Sequence, residues 1–188
     1  MTTRPPSKQV AAPVGREEVA AAVLEAASEL FAERGPAATS IRDVATRSKV
    51  NHGLVFRHFG TKDRLVGSVL DHLAGNITDL RRAGATQAEI EQAAGRHFRV
   101  MARALLDGYP VGQLQSSFPN LTELLEQLRP RFDDDTSAKL AAANVVALQL
   151  GWHLFQPFLR TALGLDAVDD AVVRESIAAA AADLTEPR

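Results

Sequence analysis

Hydrophobic residues recur every three or four positions along most of the chain, which is the period of an amphipathic α-helix. Between residues 16 and 34, for example, Val19, Val23 and Leu30 share one face, and Gly35 marks the end of the segment. No run of five or more residues alternates strictly between apolar and polar, as a half-buried strand would. The pattern therefore predicts an all-α fold.

Two short helices are predicted after this first long one. Ser40 and Asp43 have the spacing of a capping box, which predicts a helix of about two turns over residues 40–47. Asn51 is placed to cap a second short helix that ends at about His58. The two segments are separated by only three residues, so the helices are expected to pack against each other.

The remaining two thirds of the chain is predicted to contain longer helices. The first of them begins at residues 60–61. The others are predicted at about residues 90–105, 119–128, 136–163 and 169–184. We find no repeat of fixed period and no low-complexity tract beyond a richness in alanine.

The segment 136–163 is apolar on nearly all sides, so we expect other helices or a partner chain to enclose it. Pro157 interrupts this segment. Because proline has no N–H for the carbonyl of His153 and its ring crowds that turn, a kink or break is expected there.

Composition indicates a globular protein and excludes several kinds of site. Of 188 residues, 46% are hydrophobic and 23% are charged, which argues against wholesale disorder. The absence of cysteine excludes disulfides, thiolate zinc sites, iron–sulfur clusters and cysteine nucleophiles. No apolar run is longer than residues 177–182, which are far fewer than the roughly 18 residues of a membrane span. Residues 1–15 are expected to be a loose tail and not a secretion signal, so no membrane partner and a cytoplasmic location are expected.

Charge is unevenly distributed along the chain. The net charge of −2 divides into +3 for residues 1–64 and −5 for the remainder. A basic N-terminal part on an acidic remainder suggests that only the N-terminal part meets a polyanion.

The two short helices have the proportions of a helix-turn-helix. The close packing of its two helices requires a small residue, here Ala45, and apolar residues at the junction, here Ile41, Val44, Val50 and Val55. Helices of two turns bury too little surface to be stable alone, so the helix at 16–34 is expected to form a third wall. A pair of packed helices with no DNA role remains the alternative.

Residues 39–45 (TSIRDVA) and 50–65 (VNHGLVFRHFGTKDRL) resemble the DNA-binding head of the tetracycline-repressor (TetR) family. The resemblance is strong over about residues 16–70 and weaker beyond, where only helical pattern and length are similar. It implies a flexible tail (1–15), a three-helix DNA-binding head (16–63) and a helical regulatory and dimerisation body (64–188). It further implies a homodimeric regulator, usually a repressor, that leaves a palindromic operator when a small molecule enters the body.

Carried over position by position, the resemblance implies which residues meet DNA. Segment 51–58 corresponds to the recognition helix, with His52 and Arg57 expected to read base edges. Lys49 replaces a common turn glycine, so a left-handed turn costing on the order of 1 kcal/mol is expected there. For Arg42 a merely solvated position is the alternative. The expected DNA contacts are Thr39, Ser40, Arg42, Lys49, Asn51, His52, Gly53, Leu54, Phe56, Arg57, His58 and Lys62.

Bulky side chains in the body suggest an apolar cavity for a small-molecule effector, with an ordinary filled core as the alternative. His97, which lies on an apolar helix face, is expected to be a hydrogen-bonded core histidine, with contact to a ligand as the alternative. The expected cavity residues are Phe98, Met101, Leu105, Tyr109, Leu121, Leu125, Trp152, His153, Phe155 and Phe158.

Catalytic, metal and cofactor sites are not predicted. The five histidines lack zinc-protease spacing, and the sequence has neither a glycine-rich phosphate loop nor a nucleophile elbow. The aspartates at 133–135 are expected to serve a helix N-terminus and not a cation. Three classes remain open: a ligand-responsive DNA-binding repressor, a DNA-binding regulator that acts through a protein partner, and a helical small-molecule-binding protein or enzyme that does not touch DNA.

Overall fold

The structure is a computed structural model that describes residues 15–187, so the expected tail lies outside the described residues except for Gly15. No strand is present in this range, which confirms the all-α prediction, and no helix in it is long and apolar enough to cross a membrane. In chain order the helices are α1 (Arg16–Arg34), α2 (Ile41–Ser48), α3 (His52–Phe59), α4 (Lys62–Arg82), α5 (Gln87–Leu106), α6 (Val111–Leu114), α7 (Pro119–Leu128), α8 (Asp135–Ala162) and α9 (Asp170–Asp183).

The short helices begin where side chains cap them, as predicted. The Ser40 hydroxyl accepts a bond from the Asp43 N–H at 3.1 Å, and the Asp43 carboxylate accepts one from the Ser40 N–H at 2.8 Å. The bonds that the Ser40 N–H and the Ser40 hydroxyl donate to the carboxylate hold the pKa of Asp43 below its ordinary value. The Asn51 side chain accepts from the Gly53 N–H at 2.8 Å and so caps α3. Local chemistry therefore sets the start of both helices.

Lys49 lies between α2 and α3 in the left-handed conformation, with φ 56° and ψ 28°. Within residues 15–187, Lys49 is the one residue other than glycine that has a positive φ. The predicted left-handed turn is therefore present, and lysine adopts it where glycine would do so without strain.

A single apolar core joins the head to the first helices of the body. In the head, Val23, Phe31, Val44 and Val55 are completely buried together. The same cluster continues along α4 and into α5 and α6 through Leu65, Val66, Val69, Leu70, Leu73, Val100, Ala104 and Val111. The predicted boundary at residues 63 and 64 falls in the first turn of α4, so α4 belongs to both parts.

Two contacts attach α4 to α6 and to the loop that follows it. A Cβ built on Gly67 would lie 2.2 Å from the carbonyl oxygen of Leu114, so only glycine allows this approach. One turn further on, the Asp71 carboxylate accepts bonds from the backbone N–H groups of Ser116 at 2.9 Å and Ser117 at 3.0 Å. The four-residue helix α6 was not predicted, since its sequence lies between Pro110 and an irregular loop.

A separate bond connects α5 to the head. Asp107, the residue that follows α5, accepts a hydrogen bond from the Ala37 N–H at 2.7 Å. Ala37 lies in the turn between α1 and α2. The body therefore holds the head at α4 and again at this turn.

Helix α8 runs unbroken through Pro157, so of the expected kink or break the break is absent. Pro157 is exposed, and water can there bond the carbonyl that lacks an N–H partner. The other helices of this chain bury only Ala138, Ala141, Ala142 and Val145 on α8, so they do not enclose it, and enclosure by a partner chain stays a prediction. Its start is as expected, because Asp134 accepts bonds from the N–H groups of Thr136 and Ser137.

His97 is buried as expected, but it is not hydrogen-bonded within residues 15–187. The residue is 8% exposed, and neither ring nitrogen has a partner there. Phe98 is its stacked neighbour, with ring centroids 5.9 Å apart. The prediction of a satisfied core histidine was wrong because the surrounding side chains are largely apolar. Burial lowers the pKa of His97 to about 4.

Two glycine-to-alanine substitutions on α4 are expected to change stability in opposite directions. Gly75→Ala adds a Cβ that meets nothing within 4 Å and should stabilise the protein by about 1 kcal/mol through helix propensity. Gly67→Ala should destabilise it by about 1–3 kcal/mol because the methyl group collides with the Leu114 backbone. Urea denaturation of the three proteins measures both effects. Equal stabilisation by both variants would show that α4 and α6 are not closely packed.

His97 is expected to make stability depend on pH. Its folded-state pKa of about 4 lies below the ordinary value of 6.5, so the unfolded chain binds the proton more tightly between these limits. The contribution of the neutral His97 ring to the free energy of unfolding is complete above pH 6.5 and is lost as the pH falls towards 4. Between pH 7.5 and pH 5 the free energy of unfolding should fall by about 2 kcal/mol more in the wild type than in His97→Gln. Urea denaturation at one protein concentration measures this difference, and parallel pH profiles would contradict it.

Candidate nucleic-acid interface and ligand cavity

Helix α3 presents one face to the core and the other to solvent. Val55 is fully buried, and Leu54 packs at the edge of the same cluster. On the opposite face His52 and Arg57 are exposed, and Phe56 is 60% exposed although its ring is apolar. An accessible two-turn helix with polar side chains and an exposed aromatic ring has the dimensions needed to enter a DNA major groove.

Positive charges near α3 have no partners, whereas those on the far side of α2 are paired. Within residues 15–187, Arg42, Lys49 and Arg57 are exposed and form neither ion pairs nor side-chain hydrogen bonds. In contrast, Arg34 pairs with Asp43 at 3.0 Å, and Arg47 binds acidic residues of α1 at distances from 2.8 Å. Three exposed cations without partners in this range, Arg42, Lys49 and Arg57, therefore lie around α3, where they can meet a polyanion.

The start of α3 forms one side of a shallow groove. Arg42, Lys49, Asn51 and His52 line it together. Gly53 is exposed in the first turn, and because it has no side chain another molecule can approach the backbone closely at this end of the helix. Cationic and hydrogen-bonding groups are thus brought to one surface.

The other residues expected to contact DNA are less free. Ser40 is exposed, but its hydroxyl bonds the Asp43 carboxylate at 2.9 Å. The Lys62 ammonium donates to the Ala37 carbonyl at 3.2 Å, and His58 is half-buried with its ring centroid 6.2 Å from that of Phe59.

Thr39 differs from its expected place at the surface. It is 1% exposed, and its hydroxyl donates to the Gly35 carbonyl at 2.8 Å. This bond closes the turn between α1 and α2. The Thr39 side chain is therefore not presented to a phosphate, and its role in this structure is to shape the turn.

The body contains a cavity of about 420 Å³ between α4, α5, α7 and α8. Its walls are mainly apolar, and the loop before α7 closes one side. The lining residues include Ala74, Ile77, Ala94, His97, Phe98, Met101, Gln115, Phe118, Leu121, Leu124, Val145, Val146, Gln149 and Leu150. The volume is within the usual range for small-molecule sites.

Only three of the ten residues expected at the cavity line it, namely Phe98, Met101 and Leu121. Leu105, Phe155 and Phe158 are exposed, and Tyr109 packs against the core shared with the head. The three remaining residues, Leu125, Trp152 and His153, also lie outside the cavity lining.

On α7, Leu125 is half-buried outside the cavity lining. On α8, Trp152 is half-buried outside it, and His153 packs over Gly95 with its ring edge against Phe98, at a centroid distance of 5.4 Å. The cavity is lined by the part of α8 from Val145 to Leu150, and Trp152 and His153 lie beyond it on the next turn. Side-chain bulk, on which the expectation was based, does not report where along the helix the cavity ends.

Several lining residues were missed because they are small or polar. Val145, Val146, Gln149 and Leu150 of α8 follow helical spacing and line one wall. That periodicity in an otherwise uniformly apolar helix was the one signal that the sequence offered. Gln115 and Phe118 lie in an irregular loop whose position could not be read from a pattern.

Comparisons with known proteins agree with this geometry. Residues 23–69 match the family described as "Bacterial regulatory proteins, tetR family". The chain is 62% identical to the HTH-type transcriptional repressor Rv3405c of Mycobacterium tuberculosis, and the alignment covers 100% of both chains. The HTH-type transcriptional regulator Mb3439c of Mycobacterium bovis shows the same identity and coverage.

The fold also has relatives among solved structures. The putative transcriptional regulator SCO4942 from Streptomyces coelicolor superposes with a TM-score of 0.59, at 19% identity, over 87% of this chain and 96% of that chain. This likeness concerns the fold alone. Together with the full-length identity to helix-turn-helix regulators and the matched head, it leads to one conclusion: the chain belongs to the TetR family of bacterial regulatory proteins and is a helix-turn-helix transcription regulator.

Proposed function

We propose that the protein represses transcription by binding a palindromic operator as a homodimer, and that a small, largely apolar molecule in the body releases it. The observation that carries the DNA-binding part is the free face of α3, where Arg57, Lys49 and Arg42 are exposed without partners among residues 15–187. The name of the full-length relative from M. tuberculosis, a transcriptional repressor, supports the direction of regulation.

Arg57 and His52 are the proposed readers of sequence. Arginine can bond both major-groove acceptors of guanine, and Arg57 has no competing partner within the described chain. Lys49 and Arg42 flank the helix and are proposed to contact phosphates. Phe56 lacks the hydroxyl of a tyrosine, so its exposed ring is proposed to pack against sugar or thymine methyl groups.

The dimer interface is proposed to lie on α8 and α9. Phe155, Phe158 and Leu163 at the end of α8 and Val172 on α9 are all more than half exposed in the single chain. Large apolar side chains gathered on neighbouring helices mark an interaction surface. A two-fold dimer would pair these helices with their copies, bury the exposed half of α8 and present two α3 helices to one DNA duplex.

The cavity is proposed to control DNA binding through α4. Gln115 and Phe118 belong to the cavity wall, and the next residues of the same loop, Ser116 and Ser117, are bonded to Asp71 on α4. A ligand that moves this wall would thus act on the helix that leaves the head. The difference between the ligand's affinities for the two positions of α4 would set how far the operator affinity falls.

Removing the Arg57 side chain is expected to weaken and broaden DNA recognition. A duplex selected from a randomised library with the wild type should be two-fold symmetric, with half-site centres about 34–36 Å apart or a multiple of that spacing. On this duplex Arg57→Ala should lose about 1–3 kcal/mol per half-site and discriminate less against changed bases. Fluorescence anisotropy measures both quantities.

Two variants control this experiment. Lys49→Gly keeps the left-handed turn and removes a charge, so it should weaken binding to all sequences and reduce the salt slope by about 1 per subunit. Arg82→Ala removes the same charge at the far end of α4 and should bind as the wild type does. Selection of no sequence, or unchanged specificity in Arg57→Ala, would contradict the proposed reading of bases.

A charge placed on the exposed part of α8 is expected to separate the dimer. Light scattering should give the wild type twice the 20.2 kDa mass of one chain. Phe158→Glu should give the single-chain mass, because a carboxylate cannot be buried without a partner, and should lower operator affinity at least about tenfold.

Leu106→Glu is the matched control for this change. Leu106 is 88% exposed but lies on α5, outside the proposed interface, so the variant should remain dimeric. A wild type with the mass of one chain would contradict the dimer, and a dimeric Phe158→Glu would place the interface elsewhere.

A further inference from the structure

His97 is a buried polar group at the cavity wall whose hydrogen bonds are not supplied by the protein. It is 8% exposed and lines the cavity from α5, and neither ring nitrogen has a partner between residues 15 and 187. Native proteins rarely leave a buried imidazole in this condition. A residue that is unsatisfied and also faces a cavity is placed to bond a ligand.

The neutral imidazole limits which ligand group can bind there. It has one N–H that donates and one nitrogen that accepts. A carbonyl oxygen can accept from the N–H, and a hydroxyl can serve either nitrogen. Both are uncharged groups, so a ligand carrying one satisfies His97 without bringing a charge into the protein.

The charged groups of the cavity lie at its exposed side. Among the described lining residues these are Arg81 and Glu123, both exposed and of opposite sign. The Arg81 guanidinium already donates to the Asn120 side chain at 2.6 Å. The buried walls are formed by residues such as Ala74, Ile77 and Val145, which offer no charge to pair with an ionised ligand.

We propose, on the basis of the proposed ligand-responsive function, that the effector is an uncharged, mainly apolar molecule whose hydroxyl or carbonyl oxygen hydrogen-bonds to His97. Carboxylic acids that are ionised at neutral pH are excluded as the preferred class. The apolar remainder of the ligand occupies the space between Phe98, Met101, Leu124 and Val146.

The protonation state of His97 supports this choice. Burial lowers its pKa to about 4, so at pH 7 about one molecule in a thousand carries the charged ring. An anion would therefore meet a neutral imidazole and lose its hydration without gaining an ion pair. An alcohol or ketone meets no such penalty.

Three probes with the same eight-carbon chain test the proposal: octan-1-ol, octan-2-one and octanoate. Titration calorimetry and thermal denaturation of the full-length protein at pH 7.5 measure binding. The alcohol and the ketone should bind at least about tenfold more tightly than octanoate. The 15N chemical shifts of the His97 ring should move on binding and should still report a neutral ring.

Two variants connect the preference to His97. In His97→Leu the dissociation constants of the alcohol and the ketone should rise about tenfold, while the melting temperature without ligand should stay equal or rise, because an unsatisfied polar group has been replaced by an apolar one. His72→Leu makes the same exchange on α4 at a position outside the cavity lining, so it should bind the probes nearly as the wild type does.

The possible failures can be distinguished. Tighter binding of octanoate, binding that is unchanged in His97→Leu, or no binding of the alcohol and the ketone at millimolar concentration would each overturn the proposed ligand class. Binding through His97 that leaves operator affinity unchanged would support the ligand class and contradict only the proposed release from DNA.

Discussion

The architecture depends on the apolar core that α1 and α4 form with α2 and α3, two helices that are too short to be stable alone. Val55 is the fully buried residue of α3, and it is held by Phe31 and Val44 from the helices beside it. Because the neighbouring helices supply most of the buried surface, the outer face of α3 can remain polar and accessible. The same core extends along α4 into α5, so the orientation of the recognition surface is tied to the packing of the body.

The connection between cavity and head is short and made of specific contacts. Gly67 allows the backbone of α6 to touch α4, and Asp71 fixes the first residues of the following loop. That loop also supplies Gln115 and Phe118 to the cavity. A change in the cavity therefore reaches α4 either directly, through Ala74 and Ile77 in the cavity wall, or across one layer of contacts, and no long pathway through the core is required.

Sequence reasoning succeeded where local chemistry decides and failed where tertiary packing decides. Caps at Ser40 and Asn51 were predicted because each is determined within a few residues, whereas the left-handed turn at Lys49 was predicted from the resemblance to the TetR family. The cavity wall was largely missed, since the turns of α8 that line it depend on where α8 crosses α5 and α7. Thr39 shows the same limit, because its burial follows from the turn that closes over it.

The bond between Asp107 and the Ala37 N–H gives the head a second point of attachment, separate from α4. Glu25 of α1 adds a third, because its carboxylate accepts from the Arg96 guanidinium of α5 at 2.7 Å. A rigid unit fixed at one point can swing in any direction, whereas one fixed at several separated points cannot turn unless some of them yield. A shift of α4 must therefore either carry the head together with α5 or break these contacts.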